Sequence, residues 1–383
     1  MGRARGIANL VAVGFLVVIS VTQPIEAAAP RGHTSPTATI SGYSCGSSRS
    51  CTAVGSGTST PTVIYATPNE GGSWVAQSAP PGTNQIEEVA CATATTCLAS
   101  NLVSVPTSED VDFIGTTNAG SSWAPTTPKG SNAPIVNDRT ADLTCPESKS
   151  CYAMVGFAGY DSIYRSADHG AKWNAVPGGG FVTPCSGGQT CTQNSELDGL
   201  SCVRGTTACM VVAHNGSGYL QIATTTSRGS RFVQLAHIPR VRTAFQFYVA
   251  CGTARSCMVA DWEQRLVLVT ADGGRNWTTR HLPSTATQIT NLTCAGPHFC
   301  AALVRPAYEP ASLFVASTEN SGTSWTYSRL PTPNPSIGPT QEMSPILECV
   351  STSECFAVLA SGLGTEIYLR TSTPGSWIPS LIL

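Results

Sequence analysis

Residues 141–177 read ADLTCPESKSCYAMVGFAGYDSIYRSADHGAKWNAVP. Ala141 to Thr144 reads as a strand entering the pair formed by Cys145 and Cys151, and Tyr152 to Gly156 as a strand leaving it. The pair therefore brackets a hairpin loop, whose mouth brings Cα atoms within the roughly 7 Å that a disulfide spans. Ser162 to Arg165 alternates as a third strand, and SADHGAKW turns the chain into a fourth near Trp173. In that turn Asp168 is placed to accept backbone N–H groups of its own loop, and Gly170 suits a conformation that a Cβ resists. Trp173 offers a large flat surface to a neighbouring sheet, as a core residue rather than a ligand platform.

This unit recurs. Short cysteine pairs begin at Cys45, Cys91, Cys145, Cys202, Cys251, Cys294 and Cys349, and the turns centre on Asn69, Asn118, Asp168, Ser227, Asp272, Asn320 and Thr373. Both series advance by about fifty residues, the period of a four-stranded propeller blade. The spacing predicts an all-β chain, a seven-bladed β-propeller of four-stranded antiparallel blades, each with a cystine-stapled hairpin. Its blades fall at about 37–80, 81–130, 131–178, 198–238, 239–284, 285–332 and 333–383, with an inserted loop at 179–197. Six of the seven tryptophans close a turn: Trp74, Trp123, Trp173, Trp277, Trp325 and Trp377. Blades four and seven depart from the rule, with Ser227 and Phe232 in one and Thr373 and an early Trp377 in the other, so they are expected to be the least regular.

Composition narrows the setting. The first 29 residues read as a signal peptide, with Arg3 and Arg5, an apolar core from Leu10 to Val21 and an exit at Ala27, Ala28 and Ala29; residues 30–36 form a short linker to a single domain, 37–383. That apolar core is shorter than the roughly twenty residues a bilayer requires, so no membrane span is expected in the mature chain. A secreted or cell-envelope location follows, and the bias to arginine over three lysines points to a GC-rich bacterial source. With 11% charged residues and a net charge of -2, the chain lacks the basic face of a nucleic-acid binder.

The 16 cysteines form eight local pairs: Cys45 with Cys51, Cys91 with Cys97, Cys145 with Cys151, Cys185 with Cys191, Cys202 with Cys209, Cys251 with Cys257, Cys294 with Cys300 and Cys349 with Cys355. Zinc sites favour closer spacings and His partners, whereas an exported chain with an even count favours disulfides. No metal and no cofactor is expected, and the chain is read as a monomer.

The turns TADGGRNW (270–277), SADHGAKW (166–173) and TTNAGSSW (116–123) resemble Asp-box, or BNR, repeats, found in sialidases, sortilin-type receptors and photosystem II assembly and stability factor-like propellers. On that resemblance the Asp-box positions are Asn69 and Trp74, Asn118 and Trp123, Asp168 and Trp173, Asp272 and Trp277, and Asn320 and Trp325. It implies a fold and leaves the activity open, because one structural turn serves unrelated functions.

In such a blade the cystine hairpins and the Trp turns share one side of the disc. The other side carries the connections that vary most in length, the usual place for binding residues. Three of those loops set an aromatic beside an acid: Tyr160 with Asp161, Trp262 with Glu263, and Tyr308 with Glu309, while Arg139, Arg240 and Arg242 supply positive charge. These nine are the candidate binding residues. Glu87, Glu88 and Glu348 are expected at solvated, channel-facing positions of inner strands. No nucleophile elbow, His-Glu-x-x-His pair or phosphate loop is present, so no catalytic residue is assigned. The reading is an exported, non-enzymatic scaffold that recognises a protein, peptide or glycan on its loop-rich face. The alternative is a sialidase-like glycoside hydrolase, which the resemblance would equip with an arginine triad and a Tyr/Glu pair.

Overall fold

The computed structural model describes residues 38–57, 60–105, 108–126, 140–157, 160–176, 195–226, 229–306, 312–331, 345–361, 364–370 and 376–382. The leader and linker expected at 1–36 and the eroded turn centres Ser227 and Thr373 lie outside them. So do Cys185 and Cys191, so the eighth bridge expected within the inserted loop falls outside the described residues as well. The chain is a seven-bladed β-propeller: seven separate four-stranded sheets, each built from consecutive strands in the order inner, second, third, outer. Among the described residues there is no α-helix. The inner strand of blade 4, Ser195–Cys202, begins three residues ahead of the sequence-based boundary at 198.

The other seven cysteine pairs are disulfides. Cys45 is bonded to Cys51, Cys91 to Cys97, Cys145 to Cys151, Cys202 to Cys209, Cys251 to Cys257, Cys294 to Cys300 and Cys349 to Cys355, with Cα atoms 3.8 to 4.0 Å apart. In six of them the two half-cystines are direct partners across the inner hairpin; in blade 3 the ladder starts one step further in, where Thr144 faces Tyr152. Each bridge closes so short a loop that it contributes only about 2 kcal/mol by the chain-entropy account. It ties together two strands that are already neighbours, so its effect is local.

The Trp turns repeat one hydrogen-bond pattern. Thr67 Oγ1 accepts the Gly71 N–H at 2.9 Å, and Asn69 Oδ1 accepts the Ser73 N–H at 2.9 Å. The same pair of acceptors recurs as Thr116 with Asn118, Ser166 with Asp168, Thr270 with Asp272 and Thr318 with Asn320. Two successive residues run left-handed in each turn, such as Glu70 and Gly71 with φ of 61° and 79°. The second is glycine because a side chain there is strained.

Burial is organised by blade junction, not by blade. Each hydrophobic cluster joins two neighbours: Val54 and Ile64 of blade 1 pack on Ile86, Val89, Ile114 and Trp123 of blade 2. Each ring at the Trp position packs against the preceding blade: Trp173 stacks on Phe113 with centroids 4.5 Å apart, and Phe232 takes the place in blade 4, fully buried beside Tyr152.

The ring closes without a shared sheet, because blade 7 runs through its own four strands, Ile346–Cys349 to Trp377–Ile382. Inner strands have no sheet partner on their channel side, so their outward N–H groups need other acceptors. The residue before a first half-cystine supplies one to the next blade. Cys91 donates to Ser44 Oγ at 3.0 Å, Cys251 to Ser201 Oγ at 2.9 Å and Cys349 to Thr293 Oγ1 at 3.2 Å. At the seam Glu348 takes this part, accepting the Cys45 N–H at 3.0 and 3.1 Å. Thr365 Oγ1 accepts the Ile40 N–H, Trp74 Nε1 donates to Ser380 Oγ, and Ile40 and Tyr43 pack on Phe356, Val358 and Ile367.

Candidate binding site

The two sides of the disc differ in kind. Cystine loops and Trp turns are laced together: Glu70 N–H donates to Arg49 O, Ala119 to Thr95 O, His169 to Lys149 O, Gly273 to Arg255 O and Ser321 to His298 O, at 2.9 to 3.1 Å. Five blades repeating one backbone hydrogen bond make this face a rigid framework. The opposite face carries the second-to-third connections and the links between blades.

Between the faces runs a central channel of about 840 Å³. Among the described residues its wall holds five carboxylates, Glu88, Asp142, Glu196, Asp198 and Glu348, with Arg204 as its cation. A two-residue bulge between Ile86 and Val89 decides which of two adjacent acids faces inward. Glu88 lines the channel, while Glu87 accepts from Gln85 Nε2 at 3.3 Å. The expectation of ordinary solvated carboxylates is corrected here, because burial dominates their protonation. Burial lifts Glu348 to about 7, against the pull of Arg204 and the Cys45 N–H. Asp142 rises to about 6 by burial, opposed by the Leu200 and Leu143 N–H groups. Glu88 is raised well above the ordinary carboxylate range by burial and by Asp142 and Glu87 beside it.

Arg204 sits in the blade 4 cystine loop, between Cys202 and Cys209, which is one residue longer than the others, with a separation of 7 against 6. Its guanidinium donates to the Cys45 carbonyl and lies 3.7 Å from the Glu348 carboxylate, so it reaches from blade 4 to the seam between blades 7 and 1. The hairpin end of the channel is thereby crossed by one side chain.

At the loop-rich end the residues singled out in the sequence meet others that were not. Asp261 Oδ1 accepts the N–H groups of Glu263 and Gln264 at 2.8 and 2.7 Å and so fixes the turn that carries Trp262. The Phe245 ring meets Trp262 edge-on at 4.5 Å and lines the channel while staying 54% exposed. Arg242 pairs by backbone with Tyr219 and accepts Gln264 Nε2 through its carbonyl at 2.6 Å; Arg240 stacks over the Tyr219 ring at 4.6 Å. Below them His214 Nδ1 lies 2.9 Å from Asp198, and its Nε2 3.5 Å from Glu196. Burial lifts Asp198 to about 6, opposed by His214 and the Phe247 N–H.

Trp262, Glu263, Arg240 and Arg242 therefore gather on one side of the rim, between blades 4 and 5. Tyr160 and Asp161 open the third strand of blade 3, paired with Phe157 and Gly156, and their side chains lie outside the described set. Tyr308, Glu309 and Arg139 also lie outside the described residues. Phe245, Glu196, Asp198, His214 and Arg204 escaped the sequence reading. The alternation of SELDGLSC (195–202), which sets Glu196 and Asp198 on one side of an inner strand, is the signal that would have found two of them. Among the described residues no group of three or more His, Cys, Asp or Glu side chains is placed to hold a metal ion, and no helix is long and apolar enough to cross a membrane.

This fold and channel define a class, the seven-bladed propellers. No family model matches the chain, and no curated protein matches it. Solved structures do. A structure titled YCF48 bound to D1 peptide is 13% identical with a TM-score of 0.56, covering 88% of this chain and 92% of that one. YCF48 from Cyanidioschyzon merolae is 12% identical at 0.55, covering 88% and 97%. The GH74 xyloglucanase from Xanthomonas campestris is 12% identical at 0.59, covering 90% of this chain and 55% of its own, so this chain spans about half its length. At such identities the likeness is one of fold.

Proposed function

We propose that this chain is an exported, non-enzymatic propeller of the Asp-box type that binds a protein, peptide or glycan at the loop-rich mouth of its channel. One observation carries the reading: Phe245, 54% exposed, meets edge-on the half-buried Trp262 of a fixed turn, at the lip of a cavity walled by carboxylates. A large ring left 54% exposed on a framework stapled by disulfides is a surface held ready for contact. Seven disulfides suit an oxidising extracellular setting. The fold is shared with YCF48 bound to D1 peptide, and a peptide ligand is in keeping with that likeness.

A sialidase-type grip needs arginines converging on a substrate carboxylate with a Tyr/Glu pair. Arg240 is stacked on Tyr219, and neither it nor Arg242 lines the channel, which weighs for a binder. The test is a paired one. Labelled chain on peptide and glycan arrays should give signals that Phe245→Ala and Trp262→Ala both lose, with no turnover of a fluorogenic sialoside or xyloglucan oligosaccharide. Turnover that vanishes on replacing a channel carboxylate sinks the non-enzymatic reading, and array binding indifferent to both aromatic variants sinks the site.

A further inference from the structure

Resting on that reading, we infer that the ligand is a basic peptide segment, whose lysine or arginine side chain lays its stem on Phe245 and Trp262 and points its charged head at Glu196 and Asp198. The aromatic pair gives the place. Phe245 belongs both to the exposed surface and to the wall of the cavity; it just precedes the inner strand Phe247–Cys251 as Glu196 opens the inner strand Ser195–Cys202, so ring and acid stand at the same end of the channel. A cation over an aromatic face is attracted by the ring quadrupole, and a long basic side chain can cover apolar surface while its head stays polar.

Charge complementarity gives the chemistry. Among the described residues five carboxylates line the cavity against one guanidinium, and that guanidinium is engaged at the far end, on the Cys45 carbonyl and Glu348. At the near end, His214 lies between Glu196 and Asp198, one imidazole between two acids. Asp198 is nearly sealed, with 4% of its side chain exposed, whereas Glu196 is 69% exposed and turned to incoming ligand. Asp261, 1% exposed at the root of the turn that carries Trp262, commits Oδ1 to that turn and so holds the indole beside Phe245. The positive side chains nearby, Arg240 and Arg242, stand outside the cavity wall. Glu88 is lifted well above the carboxylate range and Glu348 is paired with Arg204, so the charge a ligand meets is that of the acids nearer the rim, which repels an acidic peptide and which a neutral sugar leaves uncompensated.

Protonation should report the same event. Asp198 faces His214, Glu196, Tyr248 and the Phe247 N–H, and Asp142 faces Glu88 and the Leu143 and Leu200 N–H groups. Both acids are lifted to about 6 by burial, so a bound cation favours their ionised forms and binding releases protons. Affinity should therefore climb as pH rises from about 5 to about 7.5.

The experiment uses the full mature chain, oxidised, and fluorescein-tagged glycine-flanked peptides carrying three lysines, three arginines or three glutamates, read by anisotropy. Lysine and arginine peptides should bind and weaken with added salt, and the glutamate peptide should not bind. Phe245→Ala should lose roughly tenfold and Glu196→Gln roughly threefold in affinity, while Arg49→Ala on the hairpin face binds as the parent does. Both site variants alter exposed side chains, and near-ultraviolet circular dichroism checks that they are folded. Binding of basic peptides that is indifferent to Phe245→Ala, or equal binding of the glutamate peptide, overturns the inference. Failure of all three peptides also overturns it. A glycan that binds and is lost with Phe245→Ala removes the basic-peptide assignment yet keeps the rim as the binding site; a glycan unaffected by that variant removes both.

Discussion

Glu348 holds the seam between blades 7 and 1, and its replacement separates two contributions to stability. Its carboxylate accepts the Cys45 N–H at 3.0 and 3.1 Å, and burial lifts the carboxyl from an ordinary 4.5 to about 7. A carboxyl whose folded value exceeds its unfolded one favours the folded state when protonated. That contribution is complete below about 4.5 and is lost as pH rises through about 7. At about 1.4 kcal/mol per pH unit the ceiling is on the order of 3 kcal/mol, lowered because 21% of the side chain meets channel water. Glu348→Gln keeps an oxygen for the Cys45 N–H and cannot ionise. In equilibrium urea unfolding of the oxidised chain, followed by tryptophan fluorescence, it should match the parent at about pH 4 and exceed it by roughly 1–3 kcal/mol at about pH 8. Glu348→Ala orphans the Cys45 N–H and should cost about 1–3 kcal/mol at about pH 4. A Gln variant whose difference from the parent is the same at both ends of the pH range refutes the reasoning.

Three further outcomes follow from the geometry. Gly46 packs so tightly that an added Cβ would sit 1.9 Å from the Thr93 carbonyl oxygen of blade 2, so Gly46→Ala should destabilise by about 1–3 kcal/mol in chemical unfolding; a neutral result would mean that blades 1 and 2 stand further apart. Thr318→Val keeps the volume and removes the acceptor of the Gly322 N–H at 2.9 Å, which should cost about 1–3 kcal/mol and loosen that turn to limited proteolysis. Replacing Cys349 and Cys355 together by serine should cost about 2 kcal/mol without changing the far-ultraviolet spectrum, and collapse of the whole ring would contradict the local character of the staple.

The propeller was legible because each blade marks itself twice. A cysteine pair brackets the inner hairpin, and a Thr/Ser-x-Asp/Asn turn ending in tryptophan marks the outer one, so the period survives even where Phe232 replaces the indole. Ring closure was not legible, because Glu348, Thr365 and Ser380 act through single side-chain oxygens, and the acceptor position before a first half-cystine is filled by serine, threonine or glutamate without a fixed residue type. At the site, Trp262 stood out by falling outside the repeat, whereas Phe245 lies in an inter-blade link where nothing periodic distinguishes it. Arg204 belongs to no motif between Cys202 and Cys209, and only the one-residue lengthening of its loop sets it apart in the sequence. Sequence placed Glu87 and Glu88 as equals; a bulge that no local pattern announces turned Glu88 to the channel.

The disc divides into a stapled framework and a working rim, and hydrogen–deuterium exchange with and without the tri-lysine peptide tests that division most directly. Slowed exchange confined to residues 196–198, 242–246 and 261–264, with the cystine loops at 46–50, 92–96 and 252–256 unchanged, is the expected result. Protection concentrated on those cystine loops would put the ligand on the opposite face and contradict it.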